Sequence, residues 1–216
     1  RVESNYKGPM NWIAGAYYFS EDLQVDSFNY ETFNNNRQHG YAVQFQDSTS
    51  WALFGSVNYQ VTDRLKMRAG LRYTDDKKDF TASRTVNPFN DLPGIGPLTA
   101  NPESTNTSWD LSGTYEVDAD MNVYGRIATG YRAPSIQGRV LFGDTISVAD
   151  SEKARSFEIG VKQELFNRRA RISATVFRYD VKDLQLTAGS GSVNQNRLVN
   201  AERATGQGIE LDLQAI

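Results

Sequence analysis

Cysteine is missing from this 216-residue chain, so neither a disulfide framework nor a thiolate metal site can form. Histidine occurs once, as His39 in a long polar segment, which excludes a multi-histidine metal centre and leaves a Ser/His/Asp relay without an ordered scaffold. No apolar run approaches the ~20 residues of a spanning helix; the longest, Trp12 to Phe19, is far shorter. Charge of one sign is lacking too: 23 Lys and Arg against 26 Asp and Glu give a net charge of -3. That balance offers no concentrated positive surface for DNA or RNA. Asp118, Asp120 and Asn122 open like a calcium loop, but Val123 and Thr129 stand where such a loop needs Gly and Glu. Gly189-Ser190-Gly191-Ser192 lacks the helix and lysine of a phosphate-binding loop, and Asn106-Thr107-Ser108 is a sequon pattern that recurs by chance. The expectation is a protein with no catalytic residues, no metal and no cofactor.

What the chain does have is alternation. From Trp51 to Thr74 two strands meet at a polar turn, Thr62-Asp63-Arg64. Trp51, Leu53, Gly55, Val57, Tyr59 and Val61 share one face, and Ala52, Phe54, Ser56, Asn58 and Gln60 the other; Leu65, Met67, Ala69, Leu71 and Tyr73 then alternate with Lys66, Arg68, Gly70, Arg72 and Thr74. Strands of soluble sandwiches run about five or six residues. These run about ten, the length that crosses a bilayer when tilted. A mean hydropathy of -0.56 fits, because barrel strands hide their apolar residues by alternation. Eleven Tyr, eleven Phe and three Trp are enough to populate interfacial girdles, although aromatics also simply favour strands.

The same pattern predicts an all-β chain of about eight long antiparallel strands: Met10 to Phe19, Ser50 to Val61, Leu65 to Thr74, Ser108 to Val117, Met121 to Tyr131, Arg155 to Leu165, Arg169 to Tyr179 and Thr205 to Ile216. Tight turns at Thr62-Asp63-Arg64, Asp118-Ala119-Asp120 and Phe166-Asn167-Arg168 alternate with long polar segments at 20–49, 75–107, 132–154 and 181–204. Short turns on one side and long loops on the other are the asymmetry of a transmembrane β-barrel, with short periplasmic turns and long extracellular loops. One strand is ambiguous. Phe177 and Tyr179 share a face with Arg171, Ser173 and Thr175, so its orientation stays open.

The polar face concentrates opposed charges. Lys66, Arg68, Arg72, Arg126 and Lys162 lie on the side of Asp110, Glu116, Glu158, Glu164, Glu210 and Asp212. An apolar barrel interior could not hold these unpaired, so the lumen would be water-filled or plugged by a polar partner. The alternative is the solvated face of a soluble sheet.

Several runs resemble the barrel domain of TonB-dependent outer-membrane receptors. They are Trp12-Ile13-Ala14-Gly15-Ala16-Tyr17-Tyr18-Phe19, Ala52-Leu53-Phe54-Gly55, Thr62-Asp63-Arg64-Leu65 leading into Ala69-Gly70-Leu71-Arg72-Tyr73-Thr74, and Gly130-Tyr131-Arg132-Ala133-Pro134-Ser135. Ser156-Phe157-Glu158-Ile159-Gly160-Val161-Lys162, Val181-Lys182-Asp183-Leu184-Gln185 and Gly208-Ile209-Glu210-Leu211 continue the likeness in the family's order. The resemblance implies a 22-stranded barrel around an N-terminal plug in the outer membrane of a Gram-negative bacterium. Such a receptor takes up scarce bulky ligands such as ferric siderophores, with energy from the inner-membrane TonB complex acting through the plug. No plug-like segment or terminal aromatic strand is found, and Arg1 to Ser4 resembles the stump of an earlier strand. The expected identity is therefore an internal barrel segment, positions 1–216, with the plug and C-terminal strands not present.

On this reading Arg72, Asp110, Arg132 and Arg155 lie near the outer rim and, with the loop aromatics Tyr41 and Phe45, would meet ligand. Lys66, Arg68, Glu116, Lys162 and Glu164 lie deeper and would contact the plug. Phe28, Tyr30, Phe33, Phe89 and Phe142 are further loop aromatics that could stack on a sugar or a catechol. Outer-membrane lipid would cover the apolar face. A passive porin-like channel and a soluble carbohydrate-binding module remain as alternatives.

Overall fold

The computed structural model describes residues 1–5, 7–86, 93–189 and 196–215. Phe89, Ser190, Gly191, Ser192 and Ile216 lie outside them. The elements are β1 (Val2–Glu3), β2 (Met10–Glu31), β3 (Arg37–Gln60), β4 (Leu65–Val86), β5 (Pro93–Ala100), β6 (Glu103–Glu116), β7 (Met121–Arg132), β8 (Ser135–Gln137), β9 (Ser147–Ala149), β10 (Glu152–Leu165), β11 (Ala170–Gly189) and β12 (Asn196–Ala215). Nine form one antiparallel sheet in the order β1-β2-β3-β4-β6-β7-β10-β11-β12; β5 adds to the upper part of β4, and β8 pairs with β9. Among the described residues no helix is long and apolar enough to cross a membrane.

Each predicted strand lies within or overlaps one long strand of the sheet. The three tight turns close as expected. In the first, the Thr62 hydroxyl accepts from the amides of Arg64 and Leu65; in the second, the Asp118 carboxylate accepts from the Asp120 amide. In the third, Phe166, Asn167 and Arg168 all take positive φ.

Three of the long polar segments are largely strand rather than loop: within 75–107, β4 runs on to Val86, β5 spans Pro93–Ala100 and β6 begins at Glu103. Residues 20–49 continue the β2–β3 ladder as far as Glu31 opposite Arg37, turning at 32–36 through Asn35 and Asn36 with positive φ. Likewise β11 and β12 pair up to Gly189 opposite Asn196. Alternation disappears there because both faces are wet, so Asp47-Ser48-Thr49-Ser50 extends a strand without announcing it. His39 falls where the register slips, between the pairs Asn29–Gly40 and Tyr30–Gln38.

Register decides which residues share a face. One row of direct neighbours runs Met10, Tyr59, Met67, Gly113, Gly125, Ile159, Val176, Ile209 across eight strands. The row beside it, on the opposite face, runs Asn11, Asn58, Arg68, Ser112, Arg126, Glu158, Phe177, Gly208. The open orientation of β11 is thereby settled: Arg171, Ser173, Thr175, Phe177 and Tyr179 share the polar face with Glu164, Lys162 and Glu158. Room on that face comes partly from glycine, since a Cβ at Gly15 would fall 2.6 Å from the Phe54 ring.

The apolar face is the exposed one. Leu71 is 59% and Ile209 71% accessible, and Leu53, Val57, Phe157, Ile159 and Leu211 are exposed with them. Leaving such side chains in water forfeits about 1.5–3 kcal/mol each. The solvent that removes this penalty is hydrocarbon, which rules against the soluble sandwich. Trp51 and Tyr73, with ring centroids 5.4 Å apart, sit at the upper margin of this band as an aromatic girdle would.

The buried apolar core lies elsewhere, above the band. Ala42, Phe80 and Ala82 on the polar-side face of β3 and β4 meet Val140 and Leu141 from the connection between β7 and β10. That connection thus identifies the inner face by covering it. Gly138 lies so close that a Cβ there would sit 1.9 Å from the Phe80 ring.

Two outcomes follow. Leu71→Arg or Val57→Arg should destabilise the folded protein in micelles by about 2–4 kcal/mol near the midplane, measured by urea titration, whereas Gln60→Glu should be far milder. Gly138→Val should expose residues 138–146 to protease and hydrogen exchange while heat-modifiable mobility of the barrel persists, because only the docking site is overfilled.

Candidate ligand-facing inner wall

The lower part of the inner face is a set of ion pairs. Lys66 meets Glu116 at 2.6 Å, Arg68 meets Asp110 at 3.8 Å, and Glu164 holds both Arg168 and Arg171 at 3.0 Å. The Lys162 ammonium lies 5.3 Å from the centre of the Tyr124 ring. All five residues expected to contact a plug therefore line one face near the tight turns. Lys66 and Arg68 remain more than half accessible. Exposed pairs of this kind contribute at most about 1 kcal/mol each. Such a wall is polar and adjustable rather than locked. Arg168, Arg171 and Tyr124 were not among the expected wall residues; Arg168 has the parity of Glu164 and Tyr124 that of Arg126, whereas the face of Arg171 is fixed only by its register opposite Glu164.

Higher on the same face Arg72 lies between two rings, 5.4 Å from the Tyr17 centroid and 5.7 Å from that of Phe54, and its Nε donates to Thr74 Oγ1 at 3.0 Å. Aromatic faces attract a guanidinium and fix its plane. Asp110 stands two residues from the neighbour opposite Arg72, and Arg132 lies on the inner parity of β7 opposite Glu152. The structure thus brings Arg72, Asp110 and Arg132 to one wall. Arg155, Tyr41 and Phe45 take the other face. Arg155 pairs with Thr129 and Asp180 in the parity of Phe157, a fact its spacing from Phe157 already carried. Tyr41 and Phe45 belong to strand rather than loop; Tyr41 packs on Phe28 and donates to Asp26, which holds the phenol above its ordinary range.

The connection from β7 to β10 lies across the top of this wall. At its stem Gln185, buried on β11, donates to the carbonyls of Ala133 and Asp150 at 2.8 and 2.9 Å and accepts from the Ser135 hydroxyl at 2.7 Å. Asn200 on β12 adds a bond to the Asp150 carbonyl and accepts from its amide. At the far end Arg84, only 3% accessible, donates to the carbonyls of Val140 and Gly143 and meets Asp144 at 2.6 Å. Between them the Lys78 ammonium donates to the Pro134 carbonyl at 2.7 Å. Burial is the main cause that pulls the Lys78 pKa down, with Asp76 and Glu21 opposing and Arg132 adding to it. The connection therefore bridges β11–β12 on one flank and β3–β4 on the other. Sequence reasoning missed Lys78, Arg84 and Gln185. The available signal was apolar Phe80 and Ala82 on a face that should be wet, which implies a cover.

Among the described residues no cluster of three or more metal-ligating side chains occurs. The arrangement offers cations, carboxylates and ring faces to a solute.

A model of the family described as TonB dependent receptor-like, beta-barrel matches residues 2–215. The pesticin receptor of Yersinia enterocolitica is 28% identical over 206 residues, covering 94% of this chain and 28% of the receptor. The chain thus spans under a third of that relative's length. The ferric yersiniabactin uptake receptor FyuA from Yersinia pestis superposes with a TM-score of 0.78 at 19% identity, over 97% of this chain and 30% of that one. The copper transporter OprC gives 0.74 at 12% identity, over 97% and 33%. Apolar outer face, ionic inner face, short turns and long upper hairpins agree with these likenesses: the chain belongs to the β-barrel family of TonB-dependent receptors, proteins of the Gram-negative outer membrane.

Proposed function

We propose that this chain is part of the barrel wall of an active-transport receptor that takes up a scarce bulky ligand, foremost a ferric siderophore, with energy supplied by the TonB complex. The observation that carries the reading is the inner face itself. A continuous tier of ionic side chains, roofed at its upper end by the β7–β10 connection, suits a lumen filled by a polar plug better than an open apolar cavity. In this reading Lys66, Arg68, Glu116, Lys162 and Glu164 hold the receptor's own plug domain by many modest contacts. Arg72, Asp110 and Arg132 meet the ligand, and the fixed guanidinium of Arg72 suits an anionic chelate. Arg155, Tyr41 and Phe45 would reach ligand only from outside the wall. The relative named for ferric yersiniabactin supports the siderophore class, while the copper transporter shows that the fold alone does not choose the cargo.

The plug and the remaining barrel strands are proposed to lie in the rest of the protein. β1 and β12 border the described sheet, and free strand edges in hydrocarbon cost several kcal/mol per unsatisfied group. A passive porin is the second reading, since it would share the wet lumen and fatty exterior.

In the full-length protein, Arg68→Glu combined with Lys162→Glu should raise single-channel conductance and sensitivity to large antibiotics by loosening the plug. Arg72→Ala should mainly weaken ferric siderophore capture, by about tenfold for the loss of one charge-assisted contact. Free conduction by the unmodified protein in planar bilayers would replace the transporter with the porin.

A further inference from the structure

Two flanks of the outer face carry opposite charge at the same height. On β10, β11 and β12 the last apolar row is Ile159, Val176, Ile209; three two-residue steps higher stand Lys153, Lys182 and Arg203, directly opposite one another. On β2, β3 and β4 the last apolar row is Ala16, Leu53, Tyr73, and three steps higher stand Asp22, Asp47 and Asp79. All six charged residues are exposed. Like charges at directly opposite positions repel, so each row costs stability until something neutralises it.

The chain does not neutralise either row by itself. Asp180, one step below the basic row, is spent on Arg203 at 2.6 Å and Arg178 at 3.6 Å, and among the described residues Lys153 and Lys182 form no ion pair. On the other flank Lys77, one step below the acidic row, meets Glu103 at 3.8 Å, and Asp22, Asp47 and Asp79 form no ion pair among the described residues. The two rows cannot reach each other within one molecule. From β3 to β11 the sheet order passes five strand steps, roughly 24 Å at the usual strand spacing.

Lipid phosphate is also out of reach. Three steps rise about 20 Å along a strand, which is roughly 15 Å of height at the tilt of a barrel strand, whereas each polar layer of a bilayer is only about 5–8 Å thick. What the membrane does supply is alignment. It holds the apolar band of every copy in the same layer, so the acidic row of one copy and the basic row of a neighbour stand at one level before they meet. We propose that the Asp22–Asp47–Asp79 row is the docking surface for the Lys153–Lys182–Arg203 row of a second copy, a lateral head-to-tail contact above the headgroups. Such a contact is heterologous: each copy keeps one flank free for the next, so it extends into rows or rings in the membrane plane. Exposed ion pairs contribute at most about 1 kcal/mol each, which makes the contact reversible and sensitive to salt. The proposal rests on the outer-membrane placement and is independent of which ligand is transported.

The test uses the full-length receptor in vesicles of zwitterionic phospholipid, which hold no glycolipid. A carbodiimide joins a carboxylate to an amine only where the two touch. It should give covalent dimers and longer species in which Asp22, Asp47 or Asp79 is linked to Lys153 or Lys182, a link that the separation of the rows makes intermolecular. Association itself is read by energy transfer between donor- and acceptor-labelled copies carrying the dye at Thr105→Cys, an exposed outward position on β6 between the two flanks. Asp47→Lys/Asp79→Lys and Lys153→Glu/Lys182→Glu should each weaken association at least about tenfold, because attraction becomes repulsion. Mixing these two variants should restore it, since each offers the flank the other lacks. Salt at about 1 M, where the screening length is about 3 Å, should disperse the unmodified receptor. Heat-modifiable mobility checks each variant's fold, and if one fails to fold, the cross-link map and the salt response of the unmodified receptor still decide. Energy transfer that survives both reversals or high salt, or no cross-link between the two rows, would overturn the proposal. Clustering that appears only when lipopolysaccharide is added would assign the rows to a glycolipid and overturn it too.

Discussion

Every other feature of this chain depends on pairing the backbone of an extended sheet in a medium that cannot hydrogen-bond to it. Within hydrocarbon only neighbouring strands can satisfy amide and carbonyl groups. The ladders accordingly extend through the apolar band, from Met10 opposite Tyr59 on one flank to Ala170 opposite Ala215 on the other, and where the β6–β7 ladder ends at Asp110 opposite Ala128 the Thr129 hydroxyl accepts from the Trp109 amide. Once backbone pairing is fixed, side chains have only two directions. Lipid takes one and water or protein the other, and the period-2 pattern follows.

That constraint also explains which parts were legible in the sequence. Strand positions, tight turns and the lipid-facing set could be read because the band forces apolar and polar residues to alternate, as Leu65 to Thr74 does without exception. Outside the band nothing enforces alternation, so the upward continuation of β2, β3, β4, β11 and β12 reads as loop in the sequence. Tyr41 and Phe45 were misplaced for the same reason. Arg155 is a different case: its height along the strand suits the rim, but its parity is that of Phe157 and turns it to the outer face. The alternation of short turns and long segments carries the orientation and the family likeness the expectation of a plug; neither announces the roles of Gln185 or Arg84, which depend on a connection folding back over the wall.

The rows of neighbours also carry information about tilt. Followed across the sheet, the outward row that starts at Trp12 and Val57 passes Ala69, Leu111, Ile127 and Phe157 and ends at Arg178 and Gln207. A row perpendicular to the strands thus leaves the apolar band as it crosses the sheet. In a barrel the strands are tilted and the register is staggered, so such a row must climb relative to the membrane plane. The shift from Trp to Arg along one row is that climb expressed in side-chain chemistry.

The β7–β10 connection shows how a receptor wall can hold a covering segment without fixing its sequence. Gln185 bonds the carbonyls of Ala133 and Asp150, Arg84 those of Val140 and Gly143, Lys78 that of Pro134, and Asn200 that of Asp150. Main-chain acceptors exist whatever side chains the connection carries. Only small, specific demands remain, such as the absence of a Cβ at Gly138 beside Phe80 and a carboxylate at Asp144 for Arg84. The anchors sit on rigid strands and the anchored residues are otherwise unconstrained by them. The sequence of the cover can therefore vary while the barrel beneath keeps one register, as expected of a connection held on a rigid scaffold.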